Sequence, residues 1–164
     1  MVTTGQVVIA AEVAQGPSDN HQLVPMVPAA VQALAAAGLR EPIGAAVADA
    51  GYWSPESAAA AGPELFIATR TKRAPARAPL PRTGRVRASA TPLQLMERKL
   101  QTRRGRAIYA KRGMTIEPVF GQVKEARQAR RSQRRGLGAV CCEWKLLATT
   151  HNILKMWRMA AATC

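Results

Sequence analysis

Aromatic side chains make up only 4% of this sequence, and much of the 48% that is hydrophobic is alanine, which buries little area per residue. A chain of 164 residues is long enough for one domain of ordinary size, so a thin core is expected. Cysteine is scarce as well. Cys141, Cys142 and Cys164 form no C-x-x-C pair, and the two histidines, His21 and His151, lie far apart. That argues against a disulfide framework and against a cysteine–histidine zinc site. No uninterrupted apolar run approaches the ~18 residues a membrane span needs. The opening MVTTGQVVIAAEV has no basic stretch ahead of an apolar one, so it lacks the pattern of a secretory signal. These absences lead to the expectation of a cytoplasmic chain with reduced thiols and no membrane partner.

Acidic residues are scarce in a more informative way. The formal net charge is +14, and it is unevenly placed. Residues 1–69 hold six acids and one base, Arg40, for a net of −5. Residues 70–135 hold twenty bases against Glu97, Glu117 and Glu125, for a net of +17. Segregation of this kind points to a polyanion as partner, with DNA the natural candidate. A solvated basic arm is the alternative for such a block.

The pattern along the chain predicts three parts. Over 1–70, Gln6–Val13 reads as a short strand. Gly16-Pro17-Ser18-Asp19 reads as a turn in which Ser18 or Asp19 caps a helix. Asn20–Ala37 has helical spacing ended by Gly38. Pro42–Asp49 reads as a buried strand, Ser54-Pro55-Glu56 as the start of a short helix, and Leu65–Thr69 as a third strand. Strands alternating with helices predict a parallel α/β sheet. Residues 71–91 are basic and proline-rich and read as a linker. Over 92–164 the pattern is helical. Gly113 and Pro118 predict a break, with a new helix near Thr115 whose inward face carries Ile116, Phe120 and Val123. Arg127–Arg135 reads as a basic turn, and Leu137–Met159 as a long amphipathic helix with Val140, Trp144, Leu147 and Leu154 on one stripe.

Two places carry candidate chemistry. Asp49 stands where a strand ends and a glycine turn begins, and ligands of open parallel sheets collect at the carboxyl ends of strands. The same spacing also describes an ordinary Asp-x-Gly turn. Glu117 falls in the first turn of its expected helix, where the helix dipole favours a carboxylate. Lys124, seven residues on, points from the same face roughly 10 Å further along the axis. A capping acid and a solvated lysine fit that spacing equally well.

The motifs match a family when taken together. Val47-Ala48-Asp49-Ala50-Gly51-Tyr52-Trp53-Ser54 resembles the segment of insertion-sequence transposases of the DDE class that carries the second catalytic aspartate. Tyr109 and Arg112, followed by Glu117 and Lys124 in IEPVFGQVK, resemble the Tyr–Arg–Glu–Lys signature that carries the third carboxylate. Trp144 and the His151-Asn152-Ile153-Leu154-Lys155 stretch look like the family's closing helix. The resemblance implies an incomplete ribonuclease-H-like fold, with a parallel or mixed sheet and flanking helices, followed by a helical C-terminal part. It implies metal-dependent cleavage and transfer of DNA strands. Asp49 and Glu117 would be catalytic and bind two Mg²⁺ or Mn²⁺ ions, the oxygen-seeking cations of such sites. Tyr109, Arg112 and Lys124 would hold DNA, joined by Arg103, Arg104, Arg127, Arg130 and Arg131 from the basic block.

The family's first aspartate lies on a strand ahead of the one expected at Gln6–Val13, and no residue here matches it. Glu12 lies on that strand but in no family motif. The expectation is a transposase fragment with two of three carboxylates, which binds DNA but does not cut it alone. Its partners are DNA and either a second copy or a complementing N-terminal fragment. A basic DNA-binding protein without chemistry is the alternative.

Overall fold

The computed structural model describes residues 1–16, 18–69 and 84–162. Helix α1 spans Leu23–Ala36, strand β1 Ala45–Ala48, helix α2 Pro55–Ala59 and strand β2 Glu64–Ile67. Helices α3 (Pro92–Gln101), α4 (Arg103–Gly121) and α5 (Leu137–Ala161) follow. The chain is thus mixed α/β. β1 and β2 pair in parallel, in register from Ala45 with Glu64 to Ala48 with Ile67, as the alternation of elements predicts. Most of the linker expected over 71–91 lies outside the described residues.

Strand β2 is buried along Leu65, Phe66 and Ile67, the continuous apolar run of a strand covered on both faces. Leu65 and Ile67 join Ala48, Leu23 of α1 and Met96 of α3 in the core cluster. Phe66 alternates to the other side and takes the Lys99 ammonium over its ring at 4.4 Å. Ser54 caps α2, accepting the Ser57 amide at 2.9 Å, with Pro55 in the first turn, as its sequence predicts. Gly38, at φ +79°, closes α1 in the left-handed conformation that glycine adopts without strain.

Several local expectations are corrected. Gln6–Val13 is not a strand, and only Val8 forms a bridge, antiparallel with Val2. The chain turns back on itself at Thr4-Gly5-Gln6, where Gln6 adopts φ +63° and its amide donates to the Thr3 carbonyl at 2.9 Å. Neither Ser18 nor Asp19 caps α1, whose N-cap Gln22 makes no side-chain bond. The helical pattern from Pro92 breaks at Thr102 instead of near Gly113. Thr102 ends α3 and caps α4, accepting the Gly105 amide at 2.9 Å. From there α4 runs unbroken through Gly113 and Pro118, so Glu117 lies in its last turn, and the expected dipole stabilisation does not apply. Phe120, expected inward, is exposed, and Val119 and Val123 are the buried residues of this stretch.

The unbroken helix has a physical reason. Proline lacks an amide, so Pro118 leaves the Met114 carbonyl, four residues back, without its intrahelical donor. Gln6 Nε2 donates to that carbonyl at 2.8 Å, supplying from the N-terminal turn the bond that proline removes. Helix α5 holds the same turn. His151, 1% exposed, donates from Nε2 to the Gln6 carbonyl at 2.9 Å, and Lys155 donates to Gln6 Oε1 at 2.8 Å. Asn152 pairs with the Val8 backbone both ways, accepting from its amide at 2.8 Å and donating to its carbonyl at 2.7 Å. Asn152→Ala strips both partners from a half-buried peptide group, and a loss of about 2 kcal/mol is expected. Urea unfolding checks it, and a change under about 0.5 kcal/mol would mean that α5 does not hold the segment.

Candidate functional site

Asp49 directly follows β1, at the carboxyl end of the parallel pair. Its backbone is extended, and its side chain accepts the Gly51 amide at 3.0 Å, capping a 3₁₀ turn over Ala50–Tyr52. The turn chemistry is therefore present, and it fixes the carboxylate at the strand end. A second carboxylate converges there. A Cβ at Gly51 would sit 3.2 Å from Asp49 Oδ1 and 3.7 Å from Asp19 Oδ2, so a side chain at this position would crowd both acids. Tyr52 registers the same pair. Burial raises its phenol above the usual value, and the charges of Asp19 and Asp49 raise it further. Sequence spacing could not have shown Asp19 here, because it joins the site only through tertiary packing.

The second part of the site lies on α4. This helix starts at the amino end of β2, where Arg104 and Lys99 reach Glu64 at 2.5 and 3.2 Å, and it packs against both strands. Near its other end Arg112 meets Glu117 at 3.8 Å, and the same guanidinium lies 5.9 Å from the Tyr109 ring. Glu117 folds back over Gly113, where a Cβ would be 3.7 Å from its Oε1. Tyr109, Arg112 and Glu117 are thus brought together. The Glu117 side chain is 65% exposed, and Asp49 is exposed too.

Beyond Gly121 the backbone widens into a π-helical segment, Gln122–Ala126, a feature that often marks functional positions. Lys124 lies on it, with its ammonium 5.5 Å from the Phe120 ring. Phe120 stacks on Trp144 of α5 with centroids 6.3 Å apart. Lys124, Arg130 and Arg131 border the cleft beside this pair. Arg130 is held by Glu125 at 2.5 Å, and Arg127 donates to the Leu147 carbonyl and the Thr150 hydroxyl. Arg103 opens α4 and is exposed. The basic residues of the expected DNA face therefore divide. Arg104, Arg112, Arg127 and Arg130 have partners within the chain, while Arg103, Lys124 and Arg131 have no carboxylate partner among the described residues.

Carboxylate oxygens are suitable donors for a hard divalent cation. Among the described residues, however, no group of three or more His, Cys, Asp or Glu side chains is placed to hold one.

The family profile described as a transposase DDE domain matches residues 71–157, more than half of the chain. The chain belongs to this transposase family. Membership makes DNA its substrate and places it among proteins of nuclease and transferase activity that generally use divalent metals. The matched stretch includes Tyr109, Arg112, Glu117 and Lys124 and leaves Asp49 outside. Neither a curated protein nor a solved structure matches the chain. No helix among the described residues is long and apolar enough to cross a membrane.

Proposed function

We propose that this transposase chain contributes Asp49 and Glu117 to a ribonuclease-H-like centre that cleaves and transfers DNA strands. The observation that carries this is the grouping of Tyr109, Arg112 and Glu117 along the middle and later turns of a helix that starts at the amino end of β2, the opposite end of the strands from Asp49. From Arg104 to Glu117 the helix rises roughly 20 Å, and the strands run roughly 13 Å from Glu64 to the level of Asp49, so α4 is long enough to carry Glu117 to the end where Asp49 stands. Asp49 and Glu117 would supply oxygen donors to Mg²⁺ or Mn²⁺, and a pair of such ions supports in-line displacement at a phosphodiester. Arg112 orients the Glu117 carboxylate, and Tyr109 backs the guanidinium. Asp19 lies beside Asp49 but completes no group of three ligands with Asp49 and Glu117 among the described residues.

Two acids are fewer than a stable ion pair needs, since cation–cation repulsion must be offset by negative ligands. The chain alone is therefore expected to bind DNA without cutting it, and to cut once a segment bearing a further carboxylate is supplied. Metal-dependent cleavage of a labelled duplex carrying the element's ends tests this. Turnover by the chain alone that survives Asp49→Asn would assign the chemistry elsewhere.

DNA binding by the basic region should be strongly salt-dependent. Each phosphate neutralised adds about 0.9 to the slope of log affinity against log salt on duplex DNA. Lys124→Gln and Arg131→Gln are each expected to lower the slope by about one, whereas Arg104→Gln, whose guanidinium is held by Glu64, should leave it nearly unchanged. A slope near zero for the unaltered chain would count against the basic region as the DNA surface.

A further inference from the structure

Gln6 carries a left-handed backbone at φ +63°, a conformation uncommon for residues with a Cβ and kept only where the surroundings impose it. Helix α5 imposes it here. The His151 ring is buried, its Nδ1 has no hydrogen-bond partner among the described residues, and its Nε2 donates to the Gln6 carbonyl at 2.9 Å. A buried ring with one bare nitrogen weakens a fold, so its single bond, to Gln6, is the contact that explains its place. One turn further along, Lys155 donates to Gln6 Oε1 at 2.8 Å, while Asn152 holds both backbone groups of Val8. His151, Asn152 and Lys155, which have no part in the catalytic grouping, together form a receptor for the N-terminal turn.

What the receptor presents is the side-chain amide of Gln6. Its Nε2 donates to the Met114 carbonyl at 2.8 Å, the acceptor that Pro118 leaves open. The Lys155 ammonium on Oε1 polarises the amide toward that donation. A proline whose lost bond goes unreplaced is a point of kinking. This one lies between Glu117 and Lys124, so an open bond at Met114 lets the carboxylate proposed for the metal swing relative to the ammonium proposed for phosphate. We propose that Gln6 is a positioning residue for strand cleavage, which closes the Pro118 hinge and fixes Glu117 relative to Lys124. This rests on the function proposed above.

Gln6→Gly keeps the carbonyl that His151 holds and suits the left-handed backbone, so it removes only the two side-chain bonds. Pro118→Ala returns an amide to the helix as a donor for the Met114 carbonyl. Amide hydrogen exchange is followed in the full chain, and cleavage in the chain completed by a carboxylate-bearing segment, both well below the melting temperature. In Gln6→Gly, exchange of the Val119 to Gln122 amides should rise about 5-fold, the equivalent of one net hydrogen bond. The kcat should fall by a similar factor, with KM unchanged and the melting temperature within about 4 °C. Adding Pro118→Ala should restore both readouts, whereas Pro118→Ala alone should slow exchange less than about twofold, because Gln6 already closes the hinge. That last comparison decides the matter even if Gln6→Gly folds poorly, since a larger slowing would mean an open hinge. Unchanged exchange in Gln6→Gly, an unchanged kcat, or a loss that Pro118→Ala does not restore would overturn the positioning role and leave the function of Glu117 in place. A completed chain that cleaves nothing with Gln6 present would remove both proposals.

Discussion

Gly105→Ala is expected to destabilise the fold by about 3 kcal/mol or more. Gly105 is buried in the first turn of α4, and a Cβ there would lie 2.0 Å from the Lys99 carbonyl oxygen and 2.9 Å from its carbon. Those are backbone atoms of the preceding helix, so no side-chain rotation relieves the overlap. The corner itself is tightly tied, because Thr102 Oγ1 donates to the same Lys99 carbonyl at 2.7 Å while accepting the Gly105 amide at 2.9 Å. The helices must separate or α4 must unwind its first turn. Either change disturbs Lys99 and Arg104, which meet Glu64 from the two sides of the corner, and with them the course of the helix that carries Glu117. Gly138→Ala is the control: nothing lies within 4 Å of its Cβ position in α5, so alanine there should stabilise by roughly 0.5–1 kcal/mol. Urea unfolding of both variants measures the difference. A Gly105→Ala chain within about 0.5 kcal/mol of the control would show that the corner opens at little cost.

The same corner shows where the sequence was legible and where it was not. Elements set by neighbouring residues were readable: the Ser54 cap with Pro55 behind it, Gly38 closing α1, and the two strands in parallel with an intervening helix. Their chemistry lies within a few positions. The break at Thr102 was missed because threonine among basic residues is a weak stop signal, and Gly105 marks a close approach between helices that spacing does not reveal. The break expected near Gly113 failed for a nonlocal reason, since Gln6 repairs the bond that Pro118 removes from across the fold. Gln6 itself was assigned to a strand because its turn conformation is held by His151, Lys155 and Met114, all far along the chain.

Within the candidate site, the Tyr109–Arg112–Glu117 grouping was readable because a helix brings residues at these separations onto neighbouring faces. Asp49 at a strand end was readable from the glycine turn after it. Asp19, which converges on Asp49, and the Phe120–Trp144 pair were not, because each depends on two elements meeting. The basic block was plain in composition, but composition does not distinguish a guanidinium that faces solvent from one held by Glu64 or Thr150.

Glu117→Gln is expected to reduce metal-dependent strand cleavage by about 10³-fold or more, about 4 kcal/mol in barrier, while DNA affinity stays within threefold. The cleavage is measured with the chain completed by a carboxylate-bearing segment. The substitution preserves shape and removes one negative charge. The Glu117 side chain is 65% exposed and its ion pair with Arg112 spans 3.8 Å, so the charge adds little to the fold, and thermal stability should hardly move. A carboxamide is a weak ligand for a hard cation and no longer balances the Arg112 guanidinium. The reacting phosphate then loses a preorganised partner when charge builds on its oxygens. On the proposed reading, affinity is governed elsewhere, by Lys124, Arg131 and the other basic groups, and removing a carboxylate from a surface that meets phosphates should not weaken binding. The separation of the two readouts distinguishes an enzyme from a basic binding module, in which the substitution would change neither cleavage nor metal dependence. Asp49→Asn should reproduce the loss, and the double variant should lose no more than either single one, because two ligands of one metal site fail as a unit. Losses that multiply in the double variant would mean that Asp49 and Glu117 act at separate places, and a common centre at the carboxyl end of the sheet would then be untenable.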